Sequence, residues 1–141
     1  LSYLSILEWA PVFNLHGAHF INLQYGECED ELIQAEKEFN IQILRWDDLN
    51  LKDDLDDVFA LMSELDLIIT PATAVQHMGA SIGKKVLLIS DYGTWVRFGQ
   101  KKDPWFKNLL PFPHDRSHVM KIIARYISIN YLQKLRLKCN T

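Results

Sequence analysis

Apolar residues follow two rhythms along this chain. Ala18–Gln24 (AHFINLQ), Ile41–Leu44, Leu67–Ile69 and Val86–Ile89 are short runs of the kind that buried strands need. Between them, apolar positions recur every three or four residues, as one face of a helix requires. Val58, Leu61, Met62 and Leu65 do so after Asp56 or Asp57, as do Val75, Met78, Gly79 and Ile82 further on. Val119, Ile122, Ile123, Tyr126 and Ile127 mark the buried face of a long last helix capped by Asp115 or Ser117. Asp30–Phe39 has the acidic start of a helix, though Leu32, Ile33, Ala35 and Phe39 fit one face only loosely. Leu1–Trp9 reads as a short helix ended by Pro11. Asp91–Pro113 reads as an aromatic loop, because Pro104, Pro111 and Pro113 oppose long regular elements. Strands alternating with helices predict one parallel sheet in a three-layer α/β/α, Rossmann-like domain spanning residues 1–141.

Asp66–Ser90 carries the sharpest local signal. After Leu67-Ile68-Ile69, Thr70-Pro71 has the form of a helix start, a capping hydroxyl followed by proline at the first helical position. Gly79 falls on the packed face, where a missing side chain lets helix and sheet approach closely. Gly83 suits a left-handed stop before Val86–Ile89. Ligands of open α/β sheets bind at the C-terminal ends of the strands, and a helix N-terminus there favours an anion such as a diphosphate.

Composition narrows the classes. With 141 residues and 48% hydrophobic content the chain can bury one real core. A net charge of −3 argues against a nucleic-acid-binding module. Asp47–Asp57 is mostly acidic, whereas Lys121–Lys138 carries only basic charges. Cys28 and Cys139 make neither a disulfide framework nor a CxxC metal motif, which fits the reducing cytoplasm. No apolar run approaches the roughly 20 residues of a membrane span. Leu1 is not an initiator methionine, so the chain reads as a piece of something longer. His16/His19 and His114/His118 have possible metal spacing but no nearby cysteines. Gly79–Lys84 has the wrong spacing for a P-loop, and no GxGxxG follows a strand.

The order DLIITPATAVQH…GAxxGKxVxxI resembles the nucleotide-sugar-binding half of GT-B-fold glycosyltransferases, in particular the bacterial, tetratricopeptide-linked group related to the heptosyltransferases. Thr73, Ala74, His77, Gly79, Ala80, Gly83, Lys84 and Val86 match that pattern. So do Trp95 and Asp103-Pro104-Trp105-Phe106 further on, and Phe20–Gly26 upstream. Ala72 departs from it, standing where an acidic residue is usual. The resemblance implies a cytoplasmic domain that binds a nucleotide diphosphate sugar, works with an N-terminal acceptor-binding domain and transfers nothing alone.

Glycosyl transfer builds negative charge on a departing diphosphate. The amides around Thr73 and Ala74, the Thr73 hydroxyl and the helix dipole could stabilise it with neither metal nor other cofactor. His77 could donate to a phosphate or ribose oxygen; alternatively, Thr73 is a capping residue and His77 a satisfied polar residue of the fold. Gln24, Tyr25 and Gly26 leave a strand at the same expected edge. Trp46 follows another, where it could meet a base or serve as rim packing. Trp95 and Trp105 could wall a cleft or pack under a loop, while Arg97, Lys101 and Lys102 could attract phosphates but fit a solvated loop better. A degenerate, non-catalytic interaction module is the alternative that Ala72 favours.

Overall fold

The computed structural model describes residues 4–90, 97–113 and 118–133. They fall in two compact units, Leu1–Trp46 with Arg116–Thr141, and Asp47–Asp115. The α/β class and the parallel pairing of strands expected from the sequence are observed. The hydrogen-bonded ladders, however, are two rather than one, with two and three strands.

In the first unit a 3₁₀ turn, Ile6–Trp9, runs into helix α1, Ala10–Phe13. Pro11 therefore sits in the first turn of α1 instead of closing a helix, at a place where its missing N–H leaves no bond unmade. Strand β1 is only Phe20–Ile21. The chain turns away at once because Asn22 Oδ1 accepts from the Gln24 amide at 3.0 Å, an alternative to continuing the ladder. Helix α2, Glu29–Phe39, opens on Glu29, Asp30 and Glu31 and stops at Asn40 in the left-handed region. Strand β2, Ile43–Leu44, pairs parallel to β1.

Phe13, Cys28, Leu32, Ala35 and Ile43 form the core of this unit, with Phe20 and Phe39 partly buried around it. Phe13 meets Phe20 edge-on at 5.2 Å and Phe39 at 5.4 Å. Helix α5, Val119–Ile127, packs on α1 and buries Val119, Met120, Ile123, Ala124 and Ile127. Ile122, expected inside, is exposed. It lies about 130° around the helix from the centre of that stripe, where Met120 and Ala124 take the place it was assigned. Asp115 and Ser117, the expected caps, lie outside the described residues, and His118 occupies the N-cap.

The second unit opens with helix α3, Leu55–Glu64, whose N-cap Asp54 accepts from the Asp57 amide. Strand β3 (Ile68–Pro71), helix α4 (Ala74–Ser81) and strand β4 (Val86–Ile89) follow. Thr70-Pro71 thus ends a strand rather than starting a helix, and the cap position belongs to Thr73. Gly79 does what its place predicted. A Cβ there would stand 2.5 Å from Ile68 Cδ1 and 3.2 Å from Val86 Cγ2, so only glycine lets α4 lie this close to β3 and β4. Gly83, at φ +81, ends the helix. Its amide bonds Ala80 O at 3.1 Å while the Lys84 amide bonds Gly79 O at 3.0 Å, the paired closure of a left-handed C-cap.

Strand β5, Leu109–Phe112, arises inside the expected aromatic loop and pairs parallel with β4. Pro111 is compatible with it because β5 is the outer strand of the β3-β4-β5 ladder. The Val86 and Ser90 amides donate to Asn108 O and Phe112 O, each at 3.0 Å, so even-numbered residues of β5 face β4. Pro111, like Leu109, turns its nitrogen outward, where no ladder bond is lost. Asn108 fixes the start of β5 by donating to Ala80 O at 2.9 Å and to Lys84 O at 2.6 Å. Every residue of the central strand β4 is buried.

Candidate anion site at the strand exits

Pro71 pairs with Ile89, and Ile89 with Phe112, so β3, β4 and β5 leave the sheet side by side in one direction. Thr70 closes β3 with its side chain buried. Its hydroxyl donates to Pro71 O at 2.9 Å and stands 3.1 Å from Thr73 Oγ1. A hydroxyl has one proton, and Thr70 has given its own to Pro71, so Thr73 is the donor between the two. The Thr73 amide bonds Pro71 O at 2.8 Å, which folds the chain sharply from strand to helix. Thr73 is the N-cap of α4, yet its side chain makes no capping bond. Among the described residues, helix α4 therefore begins without a capping bond from its own N-cap side chain at its positive end.

Beside it, Ser90 continues β4 one residue past Ile89. Arg97 donates from Nη2 to Ser90 Oγ at 3.4 Å and is 0% exposed. A buried guanidinium is costly to desolvate unless it is paired, and Arg97 has an interaction beyond the one to Ser90. Arg97 fitted a solvated loop when read from sequence. Its burial corrects that, and its neighbour Phe98 is exposed instead. Lys101 and Lys102 are exposed as expected.

Ala74 is exposed in the first turn of α4. His77, half-buried, is held 2.9 Å from Gln76 Nε2, with its ring 6.2 Å from that of Phe106. Its contacts run along the flank of α4, to Gln76 and Phe106. Gln76 itself is 7% exposed, and its Oε1 has no hydrogen-bond partner.

Gln24, Tyr25, Gly26 and Trp46 belong to the first unit. Phe20 pairs with Ile43 and Ile21 with Leu44, and the Asn22 amide donates to Leu44 O at 3.0 Å, so both segments leave the same end of that ladder. Tyr25 and Trp46 are exposed there, and Gly26 takes φ +99 in the turn. Arg45, just before Trp46, is clamped by Glu29 at 2.6 Å and Glu36 at 3.0 Å. The Arg45 guanidinium, with help from the Ile43 amide, holds the Glu36 carboxyl below its ordinary range, and Arg45 is raised in turn. Trp95 lies outside the described residues. His16 and His19 are exposed, and no group of three or more metal-binding side chains occurs among the described residues. No helix among them is long and apolar enough to cross a membrane.

No family model and no solved structure matches the chain. Over 104 residues, 74% of its length, it is 35% identical to Protein FlbA of Caulobacter vibrioides, and the match covers 17% of that protein. The chain thus spans about a sixth of the length of the curated relative it matches. This overturns the expected membership among GT-B glycosyltransferases and, with it, the assignment as a transferase and as a tetratricopeptide-linked enzyme half. The matched protein is named FlbA rather than for any such enzyme, and no glycosyltransferase family model fits. The physical reason lies in the motif. Gly79, Gly83, Lys84 and Val86 are what close helix–sheet packing, a left-handed stop and a buried strand require, so they report a local fold rather than a reaction.

Proposed function

We propose that the second unit binds a phosphate-bearing ligand of the nucleoside diphosphate class where β3 and β4 leave the sheet, as a binding module rather than a transferase. The observation that carries this reading is the start of α4, a helix N-terminus with no side-chain cap and two threonine hydroxyls beside it. Without ligand, the Thr73 proton serves Thr70. A phosphate oxygen offers a better acceptor, because a hydrogen bond to a charged oxygen is about twice as strong as a neutral one. Thr73 would rotate from one to the other, and the first amides of α4 would add their donors.

Calorimetric titration with UDP, GDP and ADP tests this. Thr73→Val keeps the shape and removes the proton, and weakens binding by about 1–2 kcal/mol with little effect on folding. His77→Ala has the smaller effect, since the contacts of that ring, to Gln76 and Phe106, lie along the flank of the helix. Failure of the wild type to bind any of the three at millimolar concentration refutes the reading, as does a Thr73→Val variant that binds like the wild type.

A further inference from the structure

We propose that the loop from Arg97 to Lys107 docks this protein on an anionic lipid surface, with Phe98 and Trp105 entering the interface and Lys101 and Lys102 meeting the headgroups. Phe98 is 71% exposed and Trp105 is 64% exposed. Their ring centroids are 6.3 Å apart at 56°, so the two form one protruding apolar patch.

The patch is held in place. Phe98 has φ +51, a region that a bulky residue occupies only when its surroundings hold it there. On one side the Gln100 amide closes a turn onto Arg97 O at 2.9 Å, and the buried Arg97 side chain anchors that turn. On the other, Asp103 Oδ1 accepts from the amides of Trp105 at 3.0 Å and Phe106 at 2.8 Å. Phe106 turns inward to His77 while its neighbour Trp105 points out. The exposed rings thus sit on a braced frame.

Charge selects the occupant. The exposed Lys101, Lys102 and Lys107 stand with a single acid, Asp103, between residues 98 and 107, in a chain whose net charge is −3. Screening over about 8 Å makes the local sign decisive. Lysine is depleted in protein–protein interfaces, whereas tryptophan flanked by lysines suits the boundary between headgroups and acyl chains. Each lysine near an anionic surface strengthens binding roughly fivefold.

Vesicle co-sedimentation tests the proposal, using phosphatidylcholine with and without phosphatidylglycerol. The full chain should bind only the vesicles that contain phosphatidylglycerol, and release at high salt. Lys101→Gln with Lys102→Gln should weaken binding roughly 25-fold. Phe98→Gly, which fits the local backbone and buries nothing, should weaken it while leaving the circular dichroism spectrum unchanged. Equal binding to neutral vesicles overturns the proposal, as does no binding to either. Binding to soluble polyglutamate instead of vesicles also overturns it and points to an acidic protein partner.

Discussion

The hydroxyls of Thr70 and Thr73, 3.1 Å apart where β3 turns into α4, show how much at the strand exits hangs on a single proton. Thr70 spends its own on Pro71, which leaves Thr73 as the group free to change partner. Sequence placed Thr73 correctly at a helix start but gave Thr70 the capping role, because Thr-Pro has the same form at the end of an outer strand as at the start of a helix. At the same scale, Glu36 makes a pH prediction. Its carboxyl accepts from Arg45 and from the Ile43 amide at 2.8 Å, and its folded pKa lies below the unfolded value. The stabilisation is therefore complete above the ordinary glutamate range and is lost as pH falls through the lowered value. Denaturant unfolding of Glu36→Gln should show a loss of stability at neutral pH that shrinks toward about pH 3. An equal loss at both values would mean that the ion pair carries none of it.

Among the elements, α4 was the most legible because its signals are local. Gly79 and Gly83 announced a close approach and a stop, and each is found where the pattern put it. Gly79→Ala tests how tight that approach is. The new methyl would overlap the buried Ile68, and overpacking should destabilise the unit by about 1–3 kcal/mol despite alanine's better helix propensity. A thermal scan showing the variant as stable as the wild type would contradict the packing described. Strand β5 was not legible. Pro111 within it and Pro104 and Pro113 around it oppose regular structure, and only pairing with β4 reveals that Pro111 faces away from the ladder. The buried face of α5 was half legible, since apolar residues flank it on both sides and only the packing partner chooses Met120 and Ala124 over Ile122.

Across the whole molecule, the sequence conveyed the α/β class and the parallel pairing, because alternating strand-like and helix-like rhythms leave few other topologies. It did not convey the division into two ladders, which depends on how soon β1 and β2 turn away into their exit loops. Nor did it convey the reaction. The residues that suggested a glycosyltransferase are those the strand–helix–strand unit needs for its own packing. What stands behind the proposed function is a helix start whose N-cap side chain makes no capping bond, beside two threonine hydroxyls where β3 ends. Amide chemical shifts of the labelled chain, followed while inorganic diphosphate and then ADP are added, test it most directly. The account predicts saturable shifts concentrated on Thr73, Ala74, Val75 and Gln76, with Ser90 responding and α3 silent. Shifts scattered over the surface, or none at the start of α4, would contradict it.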